Sequence, residues 1–166
     1  MRKIKYKKGR KLQPYNLEYT GIHKKTDSEI QLFVYDDLNF AEYSDFNVSD
    51  LKKNIDVKKT NWLNIHGLND LDLLKSIGDY FEIDNFMLAD ILNTTRRTKI
   101  EEQQDILFFN IKSLLPAGDT DNISAEQISF LIKDGVLISF QEKRSDFFTH
   151  IRERIRTHSG IVRIKK

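Results

Sequence analysis

The sequence feature that most constrains the fold is the dipeptide formed by Asp134 and Gly135, which lies between two stretches of alternating side chains. The stretch before it alternates two sets of residues, Ile128, Phe130 and Ile132 against Gln127, Ser129 and Leu131. The stretch after it repeats an apolar residue at every second position, namely Val136, Ile138 and Phe140. Asp-Gly pairs favour two-residue hairpin turns, and a period of two is typical of strands. We therefore predict a β-hairpin over residues 127–140.

The same alternation predicts three further strands. In the first, Ile30, Leu32 and Val34 alternate with Gln31, Phe33 and Tyr35. In the second, Trp62, Asn64 and His66 alternate with Leu63 and Ile65. In the third, one face is lined by Leu107, Phe109 and Ile111. The turn-rich residues 116–122 follow this third strand and are predicted to form a loop.

Helical spacing replaces the alternation in two regions of the chain. Asp70 stands in an N-cap position, and Leu71, Leu74 and Ile77 or Gly78 follow it at helical intervals. Asp84 caps a second, shorter helix whose apolar members are Phe86, Met87, Ile91 and Leu92. A third helix is predicted from about residue 146 to residue 158, with apolar Phe147, Phe148, Ile151 and Ile155 and basic Arg152, Arg154 and Arg156. Strands and helices thus share one layered core, so the fold class is α/β, of the α+β type.

Length and charge define the domain organisation. The chain has 166 residues, of which 39% are hydrophobic, and a domain of this length buries roughly 70% of its unfolded surface. Residues 1–11 contain seven Lys or Arg and no acid, and we predict that they are a basic, disordered tail. Residues 12–166 hold 20 basic and 25 acidic residues and are predicted to be a single domain. Because residues 161–166 are apolar and basic without turn residues, we expect the intact protein to continue beyond them.

Several classes of protein are disfavoured. No cysteine is present, which excludes disulfides and thiolate metal sites and fits a reducing cytoplasm. The longest apolar runs, such as residues 106–109, are far shorter than the roughly 20 residues of a membrane helix. The four histidines, His23, His66, His150 and His158, lack zinc-protease spacing and are predicted to be structural or at the surface. Since there is also no Gly-rich phosphate loop and no nucleophile elbow, we do not expect an enzyme.

Three pairs of carboxylates are candidate sites for hard cations, because Mg²⁺ and Ca²⁺ take oxygen ligands. They are Asp36 with Asp37, Glu101 with Glu102, and Asp119 with Asp121. The alternative is that these side chains are simply solvated. The basic tail and the arginines of the last helix leave nucleic-acid binding as a competing hypothesis, which the acidic body of the chain disfavours.

A series of ordered segments runs from about Trp62 to Lys166. Its first half comprises Ile77, Gly78, Phe81 and Ile83, then Asp90, Ile91, Leu92 and Asn93, then Arg97, Lys99 and Glu101. Its second half comprises residues 126–129 (Glu-Gln-Ile-Ser), 137–142 (Leu-Ile-Ser-Phe-Gln-Glu), Asp146, 151–156 (Ile-Arg-Glu-Arg-Ile-Arg) and Gly160. In order and spacing, these segments resemble the cytoplasmic domain of the CorA family of magnesium and cobalt ion channels. Several segments in one order are more specific than any single motif.

This resemblance implies a mixed β-sheet sandwiched between helical layers, which forms one wall of a pentameric funnel. In the family, a long stalk helix and two membrane helices joined by a Gly-Met-Asn motif follow this domain, and none of these occurs here. The implied function is magnesium sensing in a homopentameric channel for divalent cations, with this domain on the cytoplasmic side of the inner membrane. A transporter of zinc or another divalent ion from the same superfamily is the alternative, because this domain does not set which ion passes.

The resemblance also implies metal ligands. Family members bind regulatory Mg²⁺ between subunits through an Asp that is Asp90 here, opposite a carboxylate on the next subunit's stalk. Asp146 matches a family acid that contributes to a neighbouring ion site, although a favourable position at a helix N-terminus explains it equally well. The expected cofactor is therefore Mg²⁺, shared between subunits and weakly bound by this domain alone. Two departures are Ala89, where the family commonly has Glu, and Thr98, where Pro usually makes the link more rigid.

Overall fold

The computed structural model describes residues 17–23, 27–116, 123–143 and 146–164. The predicted basic tail, residues 1–11, and the carboxylates Asp119 and Asp121 lie outside these ranges. The strands are β1 (Glu29–Tyr35), β2 (Phe40–Ser44), β3 (Thr60–His66), β4 (Lys99–Gln103), β5 (Ile106–Pro116), β6 (Ile123–Lys133) and β7 (Val136–Gln141). The helices are α1 (Leu51–Asn54), α2 (Leu71–Tyr80), α3 (Asn85–Leu92) and α4 (Thr149–Thr157). Short 3-10 turns precede α1 and α4, at Val48–Asp50 and Asp146–Phe148.

The seven strands form one mixed sheet in the order β2-β1-β3-β7-β6-β5-β4. Neighbouring strands are antiparallel except for the central pair of β3 and β7, which run parallel. The predicted hairpin is confirmed as β6 and β7, and its turn residues Asp134 and Gly135 have φ values of 51° and 74°. Two positive φ values in succession are what a type I′ turn requires.

One face of the sheet packs against α1, α2 and α3 and forms the larger core. The strands contribute Ile30, Leu32, Val34, Leu63, Ile65, Phe108, Leu131, Ile138 and Phe140. The helices contribute Leu51, Leu74, Ile77, Met87, Leu88, Ile91 and Leu92. Asp70 caps α2 as predicted, since its side chain accepts a hydrogen bond from the amide of Leu73 at 2.9 Å. Each fully buried apolar side chain of this core contributes about 1.5–3 kcal/mol to folding.

The opposite face packs against α4 around Phe33 and Trp62. The two rings stack with their centroids 5.1 Å apart, and Phe148 meets Trp62 edge to face at 5.7 Å. Ile155 of α4 completes this second cluster. Helices therefore cover both faces, and the predicted sandwich of a mixed sheet between helical layers is confirmed.

The arginines of α4 serve this packing. Arg156 donates to both carboxylate oxygens of Glu42 on β2, at 2.8 and 2.6 Å, and to Glu153 at 2.6 Å. Arg152 is buried and donates to Thr149 at 3.1 Å. Two of the three arginines of α4 therefore have partners within the chain.

The structure differs from the sequence-based predictions in several elements, and the short helix α1 was not predicted. Edge strands β2 and β4 were not predicted, because edge strands are largely exposed and show no apolar alternation. In β5 the residues of the predicted apolar face, Leu107, Phe109 and Ile111, lie on the side of the sheet that α4 covers. The residues that enter the larger core are Ile106 and Phe108. The last helix begins as a 3-10 turn and becomes α-helical only at Thr149.

Two expectations about side chains can be assessed directly. His66 is structural as predicted: it is 1% exposed, and its Nε2 lies 3.1 Å from Gln141 Oε1 and 3.2 Å from Asn64 Nδ2. Asp36 stabilises the turn between β1 and β2, because its carboxylate accepts hydrogen bonds from the backbone N–H groups of Leu38 and Asn39.

Among the residues described, no helix combines the length and apolar character that crossing a bilayer requires.

The contact between α2 and α3 gives a test of the packing. A Cβ atom on Gly78 would lie 2.7 Å from a terminal methyl of the buried Leu88. Gly78→Val should therefore lower the free energy of unfolding by about 1–3 kcal/mol through overpacking. Lys75→Val, on the exposed side of the same helix, should change it by no more than about 0.5 kcal/mol. Urea denaturation measures both, and equal effects would contradict the close approach.

Candidate divalent-cation site

Helix α3 carries Asp90, the metal ligand that the resemblance implies. The helix begins where Asp84 Oδ1 accepts a hydrogen bond from the amide of Met87 at 2.8 Å, which confirms the predicted N-cap. Its buried apolar residues are Met87, Leu88, Ile91 and Leu92. Phe86, predicted with the apolar members, is instead 51% exposed. Asp90 lies among the buried positions and is itself only 9% exposed.

Asp90 is held in ion pairs with two cations of its own chain. Its Oδ1 lies 2.6 Å from Arg96 Nε, and its Oδ2 lies 2.6 Å from Lys99 Nζ. Lys99 also pairs with Glu101, and its Nζ lies over the ring of Phe108, 5.3 Å from the centroid. Both oxygens of Asp90 are therefore already neutralised, which is not the solvated state typical of a helical surface carboxylate.

Lys99 is protonated at neutral pH. Burial alone would lower the pKa of Lys99 by disfavouring its charged form. Hydrogen bonds to Asp90 and Glu101, together with the negative charges of these carboxylates, outweigh burial and raise the pKa. Lys99 consequently keeps its positive charge against Asp90 across the physiological range.

A cavity of about 310 Å³ opens beside Asp90. It is lined by Asp84, Phe86, Met87, Asp90, Lys99, Glu101 and Gln103. Carboxylate and amide oxygens are ligands that Mg²⁺ and similar hard cations take, so the donor chemistry fits such an ion. Within the described ranges, however, no group of three His, Cys, Asp or Glu side chains is placed to hold a metal. The cavity therefore holds oxygen donors but, among the described residues, not a complete set of metal ligands, and Asp90 is its most buried carboxylate.

The C-terminal end of α3 is fixed from three directions. The last four carbonyl groups of a helix have no partner within it, and here each one finds a donor. The Ala89 carbonyl accepts the amide of Asn93 at 3.0 Å. Gln127 Nε2, from β6, donates to the carbonyls of Asp90 and Ile91 at 3.2 and 3.0 Å. The Leu92 carbonyl accepts the amide of Thr20 at 3.1 Å. The backbone of Asp90 is thereby tied to the sheet.

A buried polar network continues from Gln127. Lys112 Nζ donates to Gln127 Oε1 at 2.8 Å and to the carbonyl of Thr94 at 2.6 Å, just beyond α3. Burial lowers the pKa of Lys112, and the charge of Glu142 opposes this. The Glu142 carboxylate accepts hydrogen bonds from the backbone N–H of Gln127 at 2.9 Å and from the hydroxyl of Tyr19 at 2.8 Å. The network links β5, β6, the end of β7 and the segment before β1 to the end of the helix that carries Asp90.

The other implied site features lie as follows. Asp146 begins the 3-10 turn that leads into α4, on the opposite face of the sheet from α3, and its side chain lies outside the described part of the structure. Ala89 is half-buried beside Asp90, and Thr98 is exposed in the link to β4. The metal roles of Asp90 and Asp146 stay predictions.

The resemblance pointed to Asp90 as a candidate ligand, but sequence reasoning did not reveal what surrounds it. The basic link of residues 96–99 was visible, yet nothing in its spacing indicated that Arg96 and Lys99 turn back onto the carboxylate. Gln127 was assigned only to one face of a strand. Its hydrogen bonds to α3 depend on which helix packs above that face, so a single sequence carries no signal for them.

The anchoring of α3 can be tested at Gln127. Gln127→Leu keeps the side chain's size but removes its bonds to the two carbonyls and to Lys112. We expect a loss of about 1–3 kcal/mol in the free energy of unfolding and faster amide hydrogen exchange near the end of α3. Glu102→Leu, at an exposed position in β4 outside the cavity lining, is the control and should leave exchange at residues 91–94 unchanged. Unaltered exchange in Gln127→Leu would contradict the anchoring role.

The network predicts an alkaline pH effect at Tyr19. Burial, followed by the hydrogen bond to Glu142 and its charge, raises the pKa of Tyr19 well above its ordinary value. The unfolded chain then loses this proton near pH 10 while the folded chain keeps it, so the contribution to stability is complete below pH 10 and declines above it. Tyr19→Phe should cost about 1–2 kcal/mol at pH 8. The difference from wild type should shrink between pH 10 and 11 in urea titrations, and a constant difference would refute this assignment.

Comparison with known proteins places the chain in a family. Residues 57–163 match the family described as CorA-like Mg²⁺ transporter protein. The chain is 32% identical to the cobalt/magnesium transport protein CorA of Thermotoga maritima over 165 residues, which are 99% of this chain and 46% of that protein. The chain thus spans about half the length of this relative.

Two solved structures share the fold. The soluble domain of CorA from Methanocaldococcus jannaschii has a TM-score of 0.55 and 13% identity, with 80% of this chain and 50% of that chain covered. The cytoplasmic domain of ZntB from Vibrio parahaemolyticus has a TM-score of 0.58 and 16% identity, with coverage of 80% and 51%. These likenesses show the fold alone. The family match and the 32% identity establish more than the fold: the chain belongs to the CorA-like Mg²⁺ transporter family.

Proposed function

We propose that the chain is the magnesium-sensing regulatory domain of a homopentameric channel for divalent cations, on the cytoplasmic side of the inner membrane. The observation that carries the proposal is the position of Asp90. A nearly buried carboxylate is held on an anchored helix, beside a cavity with further oxygen donors. Membership of the family, and a relative named for cobalt and magnesium transport, support the choice of ion.

The incomplete coordination shell supports a site that is shared between subunits. A divalent cation that lies between two carboxylates across an interface attracts both of them and so holds the two subunits together. Bound Mg²⁺ then favours the arrangement in which the subunits are close and the channel is closed. When the Mg²⁺ concentration falls, the subunits separate and the channel opens. In this scheme Asp90 supplies one ligand, the next subunit supplies the facing carboxylate, and Asp146 contributes to a neighbouring ion site.

The family resemblance leaves a second candidate within the same superfamily, and the fold that the chain shares with the cytoplasmic domain of ZntB is compatible with it. The TM-score and coverage of the ZntB domain are similar to those of the CorA soluble domain. A transporter of zinc or another divalent ion is therefore the alternative, and this domain does not decide between them. Uptake of Mg²⁺, Co²⁺ and Zn²⁺ by cells that express the whole protein separates the two candidates.

Asp90 is the residue to test. In the assembled protein, millimolar Mg²⁺ should raise the melting temperature, because a ligand that binds the folded state stabilises it. Asp90→Asn should fold normally and lose most of this increase. The 166-residue chain alone should bind Mg²⁺ only weakly, with a dissociation constant of about a millimolar or more. Thermal denaturation with and without Mg²⁺ measures both expectations.

The matched control is Asp72→Asn, which removes one carboxylate from α2 where the side chain is 98% exposed. It should leave the response to Mg²⁺ unchanged. If Asp90→Asn retains the full Mg²⁺-dependent increase, Asp90 is not the sensing ligand. If the wild-type assembly shows no increase at all, the sensing function itself is wrong.

A further inference from the structure

We infer that Arg96 and Lys99 are built-in competitors of the divalent cation at Asp90, which hold both carboxylate oxygens when no cation is bound and thereby set the concentration at which the site responds. This inference rests on the proposed role of Asp90 and concerns the regulation of that site.

The first argument is geometric. Each oxygen of Asp90 has its own cationic partner at 2.6 Å, slightly shorter than the usual charge-assisted hydrogen bond. Mg²⁺ and Ca²⁺ bind carboxylate oxygens directly at about 2.0–2.6 Å. A divalent ion on either oxygen would therefore lie within a few ångströms of a guanidinium or an ammonium group. Like charges at that distance repel strongly outside bulk water, so Arg96 and Lys99 must move away before the ion binds.

The second argument is that both side chains can leave. Arg96 lies in the link between α3 and β4, and its side chain is 53% exposed, so its guanidinium can move into water. Lys99 is 34% exposed and already pairs with Glu101. When Asp90 is taken by a divalent ion, Lys99 keeps this second carboxylate as its partner. The exchange leaves no buried charge without compensation, which makes it reversible.

The consequence is a raised threshold for binding. When only a fraction of molecules has Asp90 free of its internal partners, the apparent dissociation constant equals the intrinsic constant divided by that fraction. Removing the competitors should therefore tighten binding at Asp90. We expect Arg96→Gln with Lys99→Gln to lower the apparent dissociation constant for Mg²⁺ about tenfold or more, where tenfold corresponds to about 1.4 kcal/mol. Each single substitution should give a smaller decrease.

The test uses nuclear magnetic resonance of the 166-residue chain. Mg²⁺ is titrated while the Nε–H signal of Arg96 is followed, and this signal should move towards the position of a solvated arginine as the contact with Asp90 is lost. Mn²⁺ then locates the ion, because it broadens the amide signals of residues closest to it. Broadening should centre on residues 89–91, should occur at lower Mn²⁺ concentration in the double variant, and should disappear when Asp90→Asn is added.

Arg97→Gln is the matched control, since it removes one positive charge from an exposed position in the same link. It should change the affinity much less than Arg96→Gln does. If Arg97→Gln and Arg96→Gln tighten binding equally, overall charge is the cause and the inference is refuted. Arg96→Gln alone suffices for this comparison if the double variant does not fold.

The outcomes separate this inference from the function on which it rests. Asp90-dependent broadening with the same affinity in wild type and in the double variant overturns the competition but leaves Asp90 as a ligand. The same holds if Mg²⁺ binds at Asp90 while the Arg96 signal stays in place. If neither wild type nor the double variant shows broadening that depends on Asp90, the competition within this chain is wrong, and the ligand role of Asp90 is decided by the thermal denaturation of the assembled protein.

Discussion

The parallel pairing of β3 with β7 is the constraint on which the rest of the fold depends. It joins an antiparallel half, β2-β1-β3, to a second antiparallel half, β7-β6-β5-β4. Because parallel neighbours cannot be joined by a tight turn, the chain must leave β3, cross the sheet and return. Helices α2 and α3 lie in this crossover and cover the larger core. The position of Asp90 on α3 is thus a result of the topology.

The crossover alone would leave the end of α3 with carbonyl groups that lack donors in a dry environment, and each such group carries a desolvation penalty of about 1–3 kcal/mol. The sheet supplies the missing donors through Gln127, and the segment before β1 supplies another through Thr20. Lys112 in turn orients the side chain of Gln127, and Glu142 accepts the backbone N–H of the same residue. One carboxylate is therefore positioned by residues far apart in the sequence, which is what a ligand of defined geometry needs.

Local patterns predicted much of this fold. The alternation around Asp134 and Gly135, and the N-caps Asp70 and Asp84, are features whose physical cause lies within a few residues, and the structure confirms them. Edge strand β4 was missed because its residues face solvent and carry no apolar period. The partners of Asp90 were missed for a different reason. Arg96 contacts it only because the link after α3 folds back, and a turn of that kind is specified by packing rather than by spacing.

Neutralising Asp90 within its own chain matters for assembly under the proposed function. If the carboxylate had no internal partners, loss of the metal would leave it facing a second carboxylate across the interface, with strong repulsion in a poorly hydrated gap. With Arg96 and Lys99 in place, two positive charges balance Asp90 and Glu101, and Asp84 is the one further carboxylate among the described residues of the cavity lining. Binding of the metal then shifts an equilibrium between a metal-free and a metal-bound assembly, both of which are stable. A moderate difference in free energy between the two states gives a graded response to concentration.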